Sequence, residues 1–120
     1  MLRKVCRAKI HRATVTSTDL HYEGSITLDT DLIRAVDIAP YELVQVVNVN
    51  NGSRLETYVI PAEAGSGTVM LNGPAARRGE PGDKIIIISY GLVTDDEAAG
   101  GRKPRVAIVD EQNRVVKIAK

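Results

Sequence analysis

Cys6, His11 and His21 are the only thiol and imidazole side chains in the 120 residues. They show neither Cys-x-x-Cys nor His-x-x-x-His spacing, so the sequence points to no metal site. Cys6 lies within "RKVCRAKI", a strand-like run in which a buried cysteine behaves as a small, inert apolar residue. There is no Gly-x-Ser-x-Gly elbow, and Gly65-Ser66-Gly67 reads as a flexible loop. Phosphate cradles of the Gly-x-x-x-x-Gly-Lys and Gly-x-Gly-x-x-Gly kinds are missing as well. The segment "NGPAARRG" can offer backbone N–H groups to an anion, or simply turn the chain between strands. That leaves Gly24-Ser25 within "HYEGSIT". By local rules the pair is a bend. The alternative is a serine hydroxyl beside an uncrowded glycine carbonyl, where a reactive group could be made.

The elements that must hold these groups are those of a small β-rich domain spanning residues 1–120. Apolar residues make up 43% of the chain and charged residues 26%, the balance of a globular protein. With no Trp, no Phe and only Tyr22, Tyr41, Tyr58 and Tyr90, the core must be built from Val, Ile, Leu and Ala, a choice that favours strands. A net charge of +1, with basic residues spread along the chain, gives no footprint for nucleic acid. The apolar run in "KIIIISYGLV" is too short for a membrane span, and no apolar segment follows the basic N-terminus as in a signal peptide. A single cysteine excludes an intrachain disulfide and fits a reducing cytoplasm.

Along the chain, residues 3 to 16 read as one long or two short strands, with Val5, Arg7 and Lys9 on one face. "SITLD" is a strand from Ser25, and Asp29 or Thr30 caps a short helix over "DLIRAV". Asn51-Gly52 joins two strands as a hairpin, placing Arg54, Glu56 and Tyr58 on one face and Leu55, Thr57 and Val59 on the other. "TVML" is a further strand, followed by a helical turn near Ala75 to Arg78. "KIIIISYGLV" reads as a buried strand from its continuous apolar character. "TDDEAAGG" is a capped helical turn stopped by glycines, and "PRVAIVDEQNRVVKIA" is a closing hairpin whose end frays. Short strands joined by turns, with scraps of helix, point to a small closed barrel.

Four blocks in order, "AKIHRATVT", "DLHYEGSITLD", "NVNNGSRLETYVI" and "LNGPAARRGEPGDKIIIISY", give a more specific lead. From Lys9 to about Arg105 the chain resembles the pyruvoyl-dependent aspartate 1-decarboxylases. The resemblance implies a double-psi β-barrel assembled as a homotetramer, with active sites between neighbouring subunits. It implies self-cleavage between Gly24 and Ser25 into a short chain, 1–24, and a long chain, 25–120. Ser25 would attack the Gly24 carbonyl, and elimination and hydrolysis would convert it into a covalent pyruvoyl group. That group would form an imine with L-aspartate and accept electrons as CO2 leaves, giving β-alanine for pantothenate synthesis. Neither a metal nor pyridoxal phosphate is implied.

Site roles follow residue by residue from the same resemblance. Thr57 is expected to donate to the Gly24 oxyanion and to bind substrate, and Asn72 to position the scissile segment. Tyr58 matches the proton donor to the substrate carbon. Arg54, a planar fork suited to carboxylates, and Lys9 match the cationic positions that recognise a diacid. Gly73, Pro74 and Ala75 match the substrate-binding turn; Gly73 and Ala75 can donate N–H groups, whereas Pro74, standing where many relatives carry Ala, cannot. Val47 replaces an aromatic found in some relatives. His11, His21 and Tyr22 are expected at the site or at a subunit contact. The competing reading is a non-catalytic β-barrel binding module of the same fold, because fold alone does not settle function.

Overall fold

The core is aliphatic, as the composition requires. Ile10, Ile26, Leu28, Leu32, Leu71, Ile85 and Ile87 are fully buried and pack with Val15, Val36, Val44, Val59 and Val69. A computed structural model describes residues 1–119. Its strands are β1 (Leu2–Thr14), β2 (Ser17–Asp19), β3 (Ser25–Asp29), β4 (Leu43–Asn48), β5 (Arg54–Ala62), β6 (Val69–Asn72), β7 (Lys84–Thr94), β8 (Arg105–Val109) and β9 (Val115–Ala119). Two short helices, α1 (Thr30–Val36) and α2 (Asp95–Ala99), and one 3-10 turn (Gly73–Arg77) complete the chain.

The strands bond in the order β2-β6-β3-β5-β4-β7-β1-β8-β9. Strand β1 runs through Val15 and Thr16 directly into β2, so the stretch from β2 to β1 begins and ends on one piece of chain and the sheet closes. Two bonds mark the closure: Thr16 N–H donates to Val69 O at 2.8 Å, and Val15 N–H to Asp83 O at 2.9 Å. This is the small, mainly β barrel expected from the sequence. The β8–β9 hairpin extends it on the other edge of β1, where Ala8–His11 pair in parallel with Arg105–Ile108. Parallel pairs β3–β5 and β2–β6 interrupt the antiparallel pattern, so the chain must cross over between them.

Local chemistry accounts for the ends of the elements. Asp29 caps α1, accepting from Asp31 N–H at 2.8 Å, and Leu32, Ile33 and Val36 form its buried stripe. Thr94 and Glu97 form a reciprocal capping box on α2, which ends at Gly100.

Three expectations are corrected. Residues 2 to 14 form one strand, but bulges between Cys6 and Ala8 and between Ile10 and Ala13 reset its alternation. Arg7 is the extra residue at the first bulge, so Val5, Arg7 and Lys9 do not form one regular face. Strand β7 is not buried throughout: Ile85, Ile87 and Ser89 face the core, while Ile86 and Ile88 are half-buried. Finally, Val115–Ala119 is paired as β9 rather than frayed, while residue 120, the rest of that expectation, lies outside the described residues.

Candidate active site

Strand register brings the expected residues to Gly24-Ser25. Strand β3 pairs in parallel with β5, Ile26 opposite Val59 and Thr27 opposite Ile60. Extending that register backwards sets Tyr58 beside Ser25 and Thr57 beside Gly24. On the other edge β3 runs antiparallel to β6, with Ser25 opposite Asn72. The next step sets Gly73 against Gly24. The peptide bond between Gly24 and Ser25 is therefore flanked by Thr57-Tyr58 on one side and Asn72-Gly73 on the other.

Contacts at this bond are close and buried. Ser25 and Asn72 are both fully buried. Ser25 Oγ donates to Glu23 O at 2.9 Å and accepts from Asn72 Nδ2 at 3.0 Å. The same amide donates its second hydrogen to Thr27 Oγ1 at 2.8 Å, which fixes the carboxamide plane. Asn72 Oδ1 has no partner among the described residues. A buried, unpaired acceptor costs free energy, and such groups recur where a structure is built for chemistry. Gly73 adopts φ +62°, and a Cβ there would lie 2.8 Å from Gly24 N and Cα and 2.9 Å from Tyr22 O. Only glycine lets β6 turn this tightly against the Gly24 backbone.

A cavity of about 380 Å³ opens beside Gly24, lined by Leu55, Glu56, Thr57, Tyr58, Pro74, Ala75 and Arg78. Four consecutive residues of β5 line it, a grouping that strand alternation alone does not give. The Tyr58 ring stacks on Tyr41, with centroids 6.1 Å apart and planes at 29°. Pro74 and Ala75 stand on the cavity wall as the first residues of the 3-10 turn after Gly73.

Other expected residues lie elsewhere in the single chain. The Arg54 guanidinium donates to Gln45 Oε1 at 2.7 Å, and the Tyr90 hydroxyl donates to the same oxygen at 3.1 Å. Arg54 thus leans toward a second recess bounded by Lys4, Leu43, Gln45 and Tyr90. Lys9 is half-buried on β1 opposite Ile88, and Val47 pairs with Arg54 and Ile86. His11 pairs with Ile108; its own burial, with Lys9 and Arg12 nearby, pulls the imidazole below the ordinary histidine range. His21 and Tyr22 are exposed in the turn before Gly24. Glu56 and Arg78 also line the cavity, although no motif in the sequence marks them as site residues. Their signal was position: one follows Arg54 by two residues, and the other closes "NGPAARR".

Beside the second recess, Glu42 ties three elements together. Its carboxylate accepts from Arg7 Nη2 at 2.7 Å and from the Ala39 N–H at 3.1 Å, and the Ser89 hydroxyl donates to it as well. Burial pushes the Glu42 carboxyl up, but the bonds from Ser89, Ala39 and Arg7 outweigh it and hold the group below the usual range. Among the described residues no cluster of three or more His, Cys, Asp or Glu is placed to hold a metal ion, and no helix is long and apolar enough to cross a membrane.

Comparison with known proteins gives the family. A family model described as aspartate decarboxylase matches residues 1–116. A Bacillus cereus (strain G9842) protein named aspartate 1-decarboxylase is 56% identical over 118 residues, covering 98% of this chain and 92% of that protein. One of the same name from Leptospira biflexa is 56% identical over 114 residues, covering 95% and 97%. A third, from Salinibacter ruber, is 61% identical over 111 residues, covering 92% and 75%. With the match running almost end to end, the chain belongs to the aspartate decarboxylase family.

Proposed function

We propose that this protein is a self-processing decarboxylase that converts L-aspartate to β-alanine and CO2. The observation that carries the reading is the flanking of the Gly24–Ser25 bond by Asn72, Gly73, Thr57 and Tyr58, beside a cavity of about 380 Å³ that has room for an amino acid. In the first stage Ser25 Oγ adds to the Gly24 carbonyl carbon, the C–N bond breaks, and the Ser25 nitrogen takes up a proton. The attack is intramolecular, so little orientational entropy is lost on reaching it. Asn72 orients the hydroxyl, and Thr57 donates to the oxyanion that develops on the Gly24 oxygen. Loss of the Gly24 carboxylate by elimination, then addition of water and release of ammonia, leaves a ketoacyl group on the long chain.

The surroundings of Ser25 fit such a group. Asn72 Nδ2 is a ready donor to a carbonyl oxygen at that place, and the unpartnered Asn72 Oδ1 shows polar capacity in reserve. When present, a pyruvoyl group supplies an electron sink for loss of the substrate's α-carboxylate as CO2. The chain's own residues do the rest: Pro74 and Ala75 shape the wall, and the Tyr58 phenol delivers a proton to the substrate carbon. Lys9 and Arg54 serve as substrate-binding cations, reaching a neighbour's cavity in a homotetramer with sites between subunits. Exposed Leu2, Leu43 and Leu92 support such an assembly, which we place in the cytoplasm.

Intact-mass spectrometry of the purified protein tests the reading. It requires two fragments divided at 24/25, the larger blocked at its N-terminus by a ketoacyl group, and CO2 release from L-aspartate. A Ser25→Ala variant should stay whole and inactive. Release of CO2 by that variant would sink the mechanism, and an intact wild-type chain without activity would favour a binding module of the same fold.

A further inference from the structure

The alternation of "SITLD" puts Ser25 and Thr27 on one face of β3 and the fully buried Ile26 and Leu28 on the other. Asn72 stands opposite Ser25 on β6, and Met70 stands opposite Thr27. The Asn72 side chain therefore meets Thr27 along the diagonal of the ladder, with Nδ2 at 2.8 Å from Thr27 Oγ1. The polarity of this contact is set at its other end. Ser25 Oγ has a single hydrogen and donates it to Glu23 O at 2.9 Å, so toward Asn72 it can only accept. Asn72 must then present its nitrogen, whose second N–H needs an acceptor in a fully buried place. Thr27 Oγ1 is that acceptor. Turned over, the amide would leave both N–H groups where Oδ1 now finds no partner among the described residues. Among those residues, Thr27 Oγ1 is the one group besides Ser25 that receives the side-chain amide.

We propose that Thr27 is a positioning residue for self-cleavage: by fixing the Asn72 carboxamide, it holds Ser25 Oγ in place for attack on Gly24. The inference rests on the self-processing reading above and deepens it. The Thr27 hydroxyl is bonded to Asn72 and not to the scissile bond, so it acts through that side chain. With valine at 27, a methyl replaces the hydroxyl, and the second Asn72 N–H joins Oδ1 as an unpartnered buried group. The carboxamide is then free to turn, and Ser25 Oγ loses its fixed donor. The role of Thr27 outlasts cleavage. Ser25 Oγ departs with the Gly24 carboxylate in the elimination, and Asn72 Nδ2 then loses one of its two partners. Thr27 is the partner that stays, keeping the other N–H of Asn72 turned toward residue 25.

The test follows cleavage at 24/25 in freshly purified full-length protein, as the cleaved fraction over time by intact mass, with stability measured by chemical denaturation. Thr27→Val should cleave about threefold to tenfold more slowly than wild type, the range set by one hydrogen bond. Thr27→Ser keeps the hydroxyl and should cleave within about twofold of the wild-type rate. Thr16→Val is the control for lost strand bonds. The Thr16 hydroxyl donates to Val69 O and accepts from Val69 N–H, both at 3.0 Å, on the same strand as Asn72. That variant should be less stable and cleave at the wild-type rate. Thr27→Val should add no slowing to Asn72→Ala, because a residue acting through Asn72 then has nothing left to position. Cleavage of Thr27→Val at the wild-type rate overturns the assignment, as does Thr27→Ser or Thr16→Val cleaving as slowly as Thr27→Val. So does a double variant slower than Asn72→Ala alone, which would mean a role that does not pass through Asn72. If Thr27→Val fails to fold, the same outcomes are read on Thr27→Ala. Failure of the wild-type protein to cleave would instead overturn the self-processing reading itself.

Discussion

The Asn72 amide nitrogen lies 3.0 Å from Ser25 Oγ and 2.8 Å from Thr27 Oγ1, so one buried carboxamide on β6 ties together two hydroxyls of β3. Replacing it by alanine leaves two hydroxyls without their donor in a dry site. Asn72→Ala should cost about 1–3 kcal/mol in chemical denaturation. It should also slow cleavage between Gly24 and Ser25, followed as the cleaved fraction over time by intact mass. Cleavage at the wild-type rate would remove Asn72 from the positioning role.

Gly73 gives a second, steric handle on the same bond. A Cβ at this position meets Gly24 N and Cα at 2.8 Å, and the backbone sits at φ +62°. Both neighbouring atoms are backbone, so neither can swing aside. Gly73→Ala should destabilise the fold by about 1–3 kcal/mol through overpacking and block cleavage by displacing the Gly24 carbonyl. Gly52→Ala is the matched control. Its φ is +75°, but a Cβ there meets nothing within 4 Å. It should cost only the left-handed strain, about 1–2 kcal/mol, and leave cleavage intact. Equal cleavage in the two variants would mean that the contact with Gly24 is irrelevant to processing.

These two residues also show what could be read from the sequence. Local signals found the cap at Asp29, the hairpin at Asn51-Gly52 and the capped turn at Thr94, because each depends on residues a few positions apart. Ser25 against Asn72, and Ile26 against Val59, are set by closure of the whole barrel, which no local window contains. Gly24-Ser25 taken alone was a turn; the order of four blocks gave it meaning. Strand β1 misled because a bulge at Arg7 is invisible to alternation. Asp29 was legible only as a cap. Its carboxylate also accepts from Gly65 N–H at 3.0 Å and Gly67 N–H at 2.8 Å, fastening a loop that had read as merely flexible. Arg54 and Tyr58 were placed on one strand face, but the partner of Arg54 is Gln45 on β4, a contact that strand periodicity does not specify.

Stability should depend on pH through Glu42. Its folded-state carboxyl titrates below the reference value of 4.5, so the folded protein binds the proton less readily than the unfolded chain. The associated stability is present above pH 4.5 and is lost as pH falls through the folded value. Glu42→Gln should therefore be less stable than wild type at pH 7, by about 1–2 kcal/mol for half-buried, partly screened bonds. The difference should shrink steadily below pH 4.5. His11, also held below its ordinary value, weakens both proteins alike on acidification and drops out of the comparison. A gap between the two denaturation curves that stayed constant from pH 7 to pH 3 would show that the Arg7–Glu42–Ser89 network does not carry this pH dependence.

Tyr41 is the residue best placed to hold the proposed proton donor. It is 71% exposed and sits at φ +65°, an unfavourable conformation for a bulky side chain, yet its N–H is fixed to Val59 O at 2.7 Å. The result is a ring laid over Tyr58, with centroids 6.1 Å apart. Such stacking contributes about 0.5–1.5 kcal/mol beyond area burial, enough to bias the orientation of the phenol. Tyr58→Phe should permit cleavage and slow turnover strongly, because the acid is gone while the stack remains. Tyr41→Ala should lower kcat by about twofold to tenfold with little change in KM and normal processing, since the phenol is present but less well held. Tyr41→Phe, which keeps the ring, should restore the wild-type rate. If Tyr41→Ala changed only stability and left kcat untouched, Tyr41 would be packing alone. If Tyr58→Phe turned over normally, the proton would have to come from another group.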